Sequence, residues 1–140
     1  MSVFYLADSD GNPVTVEYAT SGSACFDLRC TSDFVIDHKV IGVAGTGLFL
    51  KGNWDGYMLQ VLSRSGLASK GIVVLNAPGI VDSDYKDEIK VILANFGEHY
   101  SFKKGDRIAQ AMVVSCEQKP HYHSFKQNTR NGGLGSIGIN

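Results

Sequence analysis

The sequence predicts an all-β domain, a sandwich or barrel with at most one short helix. Three observations carry this. Short runs rich in β-branched and aromatic residues recur along the 140 residues. Sixteen glycines and three prolines interrupt them at short intervals. Glu88-Ile89-Lys90-Val91 alternates polar and apolar side chains, the pattern of a half-buried strand.

In chain order, strands are predicted at Val3–Leu6, Val14–Tyr18, Cys25–Leu28, Phe34–Ile36, Val40–Val43, Leu48–Leu50, Tyr57–Leu62 and Ile72–Leu75. Further strands are predicted at Ile89–Leu93, Tyr100–Phe102, Arg107–Val114 and His121–Phe125. Two segments compete for helix. Ser65–Lys70 has room for one or two turns before Gly71. Asp106–Val113 places Ile108 and Met112 at helical spacing, yet it reads as strand: Lys104-Gly105-Asp106 is a hairpin turn signal and Val113-Val114 favours a sheet. Trp54 lies in a Gly-bounded loop packed by its own ring. No repeat is found, and the biased segment is the tail, with four glycines between Asn128 and Asn140.

Composition narrows the function. Thirteen basic and fourteen acidic residues give a net charge of −1, without the basic excess of a general nucleic-acid binder. A small anion held by a few local cations remains compatible. No apolar run approaches the ~20 residues of a membrane span, and the first ten residues lack a basic leader. Cys25, Cys30 and Cys116 are odd in number and form no Cys-x-x-Cys, so they read as buried free thiols. The expected location is cytoplasmic or nuclear, not secreted.

Three segments can carry chemistry, each with an ordinary structural alternative. Asp82, Asp84, Asp87 and Glu88 crowd into seven positions after the Asn76-Ala77-Pro78-Gly79 turn. They form either a solvated hairpin or a site where a carboxylate positions a water or a metal; the spacing is not that of an EF-hand. Ser63-Arg64-Ser65-Gly66 is either a polar loop with Ser65 as a helix cap or a phosphate-binding piece with a bidentate guanidinium. Arg130 to Gly138 is either a frayed end or a glycine-rich nest for an anion. His121 and His123 share a strand face but have no evident third metal ligand. His38 and His99 lie beside turns and read as exposed.

Taken together and in order, these pieces resemble the five motifs of the trimeric deoxyuridine triphosphatases (dUTPases). Ser23-Ala24-Cys25-Phe26-Asp27-Leu28 is similar to the first motif and Arg64-Ser65-Gly66-Leu67-Ala68 to the second. Asn76 through Tyr85 is similar to the third, Gly105-Asp106-Arg107-Ile108-Ala109-Gln110 to the fourth, and Arg130 through Gly138 to the glycine-rich fifth. The resemblance implies a jelly-roll homotrimer with active sites shared between subunits. It implies hydrolysis of dUTP to dUMP and pyrophosphate with Mg2+, which limits uracil in DNA and supplies dUMP for dTMP synthesis. Residues 1–127 would form the β domain and residues 128–140 a tail closing over the site. Neither a stable nucleic-acid partner nor a membrane is expected.

By the same resemblance, Asp82 orients and deprotonates the water that attacks the α-phosphorus. Aspartate is a modest base, so in-line positioning counts for more than proton affinity. Tyr85 would pack on the deoxyribose and leave no room for a 2′-hydroxyl. Asn76 and the hairpin backbone, with Gly79 and Val81, would read the uracil edge, and Lys90 belongs to the same substrate-binding set. Arg64, Ser65, Gly66 and Gln110 would hold the phosphates, Arg130 and Ser136 would clamp the γ-phosphate when the tail closes, and Leu134 and Gly135 of the tail belong to the same substrate-binding set. Asp27 would act on Mg2+ through water. Arg107 would make structural or inter-subunit contacts.

Four positions depart from the family pattern. Cys25 and Asp87 replace usual glycines, Leu134 replaces a Phe that stacks on uracil, and Ile137 stands where a second hydroxyl is common. Two other readings fit a similar fold: a dCTP deaminase, whose Arg-Ser-Ser is Arg64-Ser65-Gly66 here, and a non-catalytic nucleotide-binding protein.

Overall fold

The computed structural model of the chain describes residues 3–116 and Arg130. Its elements are β1 (Phe4–Ala7), β2 (Phe26–Arg29), β3 (Phe34–Ile36), β4 (Ile41–Gly45), β5 (Phe49–Gly52), β6 (Tyr57–Leu62), α1 (Ser65–Ala68), β7 (Ile72–Val74), β8 (Gly79–Val81), β9 (Lys90–Asn95), β10 (Tyr100–Phe102) and β11 (Arg107–Ser115). All pairings are antiparallel: a four-stranded sheet β2-β11-β6-β8, a three-stranded sheet β4-β9-β7, and the pairs β1-β5 and β10-β3. Among the described residues no sheet closes on itself, so the barrel alternative gives way to a sandwich.

One apolar core joins the sheets. Phe26 and Leu28 of β2, Leu59 and Val61 of β6, and Ala109 and Ala111 of β11 meet Ile72 and Val74 of β7 and Val91 and Leu93 of β9. Alternation explains the choice of face: on β9, Val91, Leu93 and Asn95 point to the core and are buried, while on the other face Lys90 is exposed, Ile92 half-buried and only the small Ala94 covered. Trp54 is 3% exposed; its indole N–H faces the carbonyls of Lys51 (3.0 Å) and Tyr5 (3.3 Å), and its ring packs on Phe4.

The structure corrects several expectations. Val14–Tyr18 forms no strand. Pro13, which lacks an N–H, bridges only to Ala7, and beyond it Val16 packs on the core and Tyr18 meets Phe26 edge-on without a ladder partner. Gly79, which reads as the end of a turn, instead opens a strand, Gly79–Val81, paired with β6. The helix ends at Ala68, and Arg64, not Ser65, holds its cap position, with no side-chain cap. Gly71 follows at φ +90°, where a Cβ would also strike the backbone of Gly97, so the turn requires glycine on both counts. Cys30 is buried, but Cys25 is only partly so and Cys116 is exposed just past the end of β11. His121–Phe125 lies outside the described residues. No described helix is long and apolar enough to cross a membrane.

Asn95 is the buried polar hinge of the second sheet. Its amide donates to the carbonyls of Ile36 (2.9 Å) and Glu98 (2.7 Å), and its oxygen accepts from the N–H of Gly97 (2.8 Å). Asn95→Leu would leave these three backbone groups without their partner. It should lower the unfolding free energy by about 3 kcal/mol, measured by urea unfolding at fixed protein concentration.

Candidate active site

Two clefts carry the sequence-predicted residues. The first is built on the hairpin between β8 and β9. Asn76, Gly79, Val81, Tyr85 and Lys90 all line it, with Val61, Val74 and Ile89 as apolar wall. It is a shallow groove open to solvent rather than an enclosed cavity. Gly79 is buried, and a Cβ there would press on the Asn76 amide at 3.3 Å. The Ala77–Pro78 peptide is cis.

Tyr85 is fixed at both ends of its residue. Its backbone N–H donates to the Asp82 carbonyl (3.1 Å) and its phenol to the Glu88 carbonyl (3.0 Å). Burial, then the nearby Asp87 carboxylate, push the phenol above its ordinary value of 10.0; Arg130 opposes this and Glu88 adds to it. The phenol therefore remains a donor throughout the neutral range. Asp87 stands at an ordinary backbone angle, as does Cys25, so neither site needs the glycine usual in relatives.

The second cleft gathers the first, second and fourth motifs. Asp27, Arg64, Ser65, Gly66 and Gln110 line it, and Arg107 joins them. Arg64 Nε donates to Asp27 Oδ1 at 3.2 Å, and Arg107 lies 3.8 Å from Asp27 Oδ2. Two guanidiniums against one carboxylate leave the lining with a net positive charge, suited to an anion. Arg107 thus belongs to the cleft itself. Gln110 donates to the Ser63 carbonyl (2.9 Å), and the Ser63 hydroxyl accepts from Val74 N–H (2.8 Å), tying the loop between β6 and α1 to β11 and β7. Burial raises the Cys25 thiol above its ordinary value, which disfavours a reactive thiolate there.

The two clefts share no lining residue. Asp82 stands exposed at the end of β8, outside the cationic cleft. Arg130 is placed against the hairpin: Nε donates to Asp84 Oδ1 at 2.8 Å, a terminal nitrogen to Asp82 Oδ2, and the guanidinium lies 5.6 Å from the centre of the Tyr85 ring. Leu134, Gly135 and Ser136 lie outside the described residues. Motif reading placed Glu88 only in the acidic cluster and missed Gly47 and Thr46; the three residues lock the far leg of the hairpin to the corner between β4 and β5. No local pattern announces that contact, since Gly47 and Glu88 are 41 positions apart.

An all-β sandwich with a half-apolar cleft beside an acidic hairpin, and a separate cationic cleft, defines a protein for a ligand with a planar or apolar part and an anionic part. The dUTPase family model matches residues 13–138. A deoxyuridine 5′-triphosphate nucleotidohydrolase of Wolinella succinogenes is 46% identical over 132 residues, covering 91% of this chain and 88% of that protein. Its counterpart in Helicobacter pylori strain J99 is 40% identical over 139 residues, with 91% of each covered. Among solved structures, a dUTPase from phage phi11 of S. aureus, described with a structural Mg(II) ion, superposes with a TM-score of 0.70 at 17% identity, over 88% of this chain and 99% of that one. The EIAV dUTPase gives 0.68 at 20%, over 89% and 100%. The chain belongs to the dUTPase family.

The raised phenol gives a direct check on the hairpin. A tyrosine held above its unfolded value contributes stability in full below that value and loses it as pH rises through the folded one. Ultraviolet difference titration should therefore show a phenol ionising above the ordinary tyrosine range, absent in Tyr85→Phe. The alkaline fall in stability should be shallower in that variant.

Proposed function

We propose that the chain hydrolyses dUTP to dUMP and pyrophosphate, with Asp82 positioning and deprotonating the water that attacks the α-phosphorus. The observation that carries this reading is the hairpin: a solvent-facing carboxylate at Asp82, joined by one backbone hydrogen bond to the Tyr85 that walls the adjoining cleft. Uracil and deoxyribose would occupy that cleft. Asn76, Gly79 and Val81 would present donors and acceptors to the base edge, and a mismatched base would leave them unpaired. Tyr85 would close the space beside C2′, and Lys90 would border the same cleft. Arg64, Ser65, Gly66 and Gln110 would hold the triphosphate.

Mg2+ suits the donor set. Among the described residues no three carboxylate, imidazole or thiol groups gather into a protein cage for a metal. One carboxylate, Asp27, beside a roomy cationic cleft fits an ion that keeps several waters and rides on substrate oxygens. When bound, the ion supplies neutralisation of phosphate charge. Arg130, which pairs with Asp82 and Asp84 here, offers the same bidentate guanidinium to a phosphate, so substrate and hairpin compete for it. The reading assigns residues 128–140 to a tail that closes over the site, with Arg130 and Ser136 on the γ-phosphate and Leu134 and Gly135 beside the substrate.

The two clefts become one site if copies of the chain meet, and the reading includes a jelly-roll homotrimer. The outward face of the β4-β9-β7 sheet supports it. Ile41 is 62% exposed, Val43 56%, Phe96 63% and Leu75 45%, an apolar surface that water solvates poorly. Ile92 of that face also lines the hairpin cleft, so a copy seated there would abut the substrate.

Three experiments test the proposal. Pyrophosphate release should be confined to dUTP among the dNTPs and UTP. Asp82→Asn should lower kcat at least about a hundredfold, the scale of a lost general base, while dUTP still binds by calorimetry. Turnover within a few-fold of wild type would move the base elsewhere, ammonia release from dCTP would favour a deaminase, and binding without pyrophosphate a non-catalytic protein. Separately, light scattering should give a trimer for the native chain. Ile41→Asp should yield a folded monomer without turnover, and an active monomer would refute the shared site.

A further inference from the structure

We infer that Glu88 is the positioning residue for Tyr85, holding the phenol at the depth that excludes a ribonucleotide. The inference rests on the reading of Tyr85 as the wall beside the sugar. Glu88 has no place in either cleft lining and touches neither the reacting atoms nor the proposed phosphate site. What it touches is the corner between β4 and β5. Its Oε2 accepts the N–H of Gly47 at 2.9 Å. A Cβ on Gly45 would overlap that same carboxylate, so the glycine leaves the space in which it sits.

The rest of the corner braces the neighbouring peptide. Thr46, 7% exposed, donates its hydroxyl to the Ile89 carbonyl at 2.6 Å and its N–H to the same oxygen at 3.3 Å. Ile89 N–H donates to the Leu48 carbonyl at 2.8 Å. Glu88 and Ile89 are thus tied to the same corner twice, by the Glu88 carboxylate on Gly47 and by the Thr46 hydroxyl on the Ile89 carbonyl. The Glu88 carbonyl is the acceptor that fixes the Tyr85 phenol at 3.0 Å. A chain of hydrogen bonds therefore runs from Gly47 through Glu88 to the ring that lines the hairpin cleft.

A free tyrosine ring can swing about its side-chain torsions, and a wall that swings discriminates poorly between a hydrogen and a hydroxyl at C2′. A ring tethered at its phenol end cannot yield in that way. The elevated phenol keeps its proton and so its role as donor. Glu88 therefore sets selectivity between sugars rather than the rate of phosphorus attack.

The test is kcat/KM for dUTP and UTP, with a thermal melt for each variant. Glu88→Ala should lower the dUTP-to-UTP ratio about tenfold, the scale of one lost hydrogen bond, mostly through better use of UTP. Glu88→Gln should restore the ratio, because its amide oxygen still accepts from Gly47. Gly45→Ala should lower it from the opposite side by displacing the carboxylate. Tyr85→Phe removes only the tethered hydroxyl and should lower the ratio alike; adding Glu88→Ala to it should lower the ratio no further. A ratio unmoved in Tyr85→Phe, or Glu88→Gln as impaired as Glu88→Ala, would overturn the inference. Tyr85→Ala separates the two layers: an unmoved ratio there would remove Tyr85 as the sugar wall altogether.

Discussion

The burial of β6 between β11 and β8 sets where everything else can be. Leu59 and Val61 point into the core and are almost fully covered, so the strand cannot slip by one residue without turning both to the other face. Its pairing with β8 puts Gly79 opposite Val61 and carries the chain directly into the acidic hairpin. Its last residue, Leu62, opens into Ser63, Arg64 and α1, beside β11 and its Gln110. One buried strand therefore lines the hairpin cleft through Val61 and runs directly into the Arg64–Gly66 segment that lines the other cleft.

The two clefts sort charge. The hairpin collects Asp82, Asp84, Asp87 and Glu88, whereas the other cleft collects Arg64 and Arg107 around Asp27. A nucleoside triphosphate is itself divided into a neutral ring system and an anionic tail, the same division that the two linings present. Within the hairpin, Arg130 offsets part of the crowding by pairing with two of the carboxylates. Glu88 turns its charge away, into the β4–β5 corner.

Much of this was legible in the sequence. Alternation at Glu88-Ile89-Lys90-Val91 announced β9, and the turn at Lys104-Gly105-Asp106 announced the long strand β11. Gly79–Val81 was hidden because Pro78 and Gly79 are strong local turn signals, while its partner in β6 lies some twenty residues earlier. Val14–Tyr18 has the right residues for a strand, but among the described residues its ladder stops at the Val14 N–H, which donates to the Leu6 carbonyl. The site behaved likewise. Its motifs could be read as segments, with solvated-loop alternatives that only the five-part order resolved. The ties between segments, Arg64 to Asp27 across 37 positions or Glu88 to Gly47 across 41, have no local signature.

Trp54 is the single tryptophan of the chain, and it lines neither cleft. Its indole is sealed under β1 and β5, hydrogen-bonded to Tyr5 and Lys51 and packed on Phe4. Its fluorescence therefore belongs to one place, the ribbon formed by those two strands. Emission from this ring monitors the integrity of the scaffold at β1 and β5, with which its contacts are made. The molecule carries its own optical gauge, by which a silent site on an intact fold can be told from a fold that has come apart.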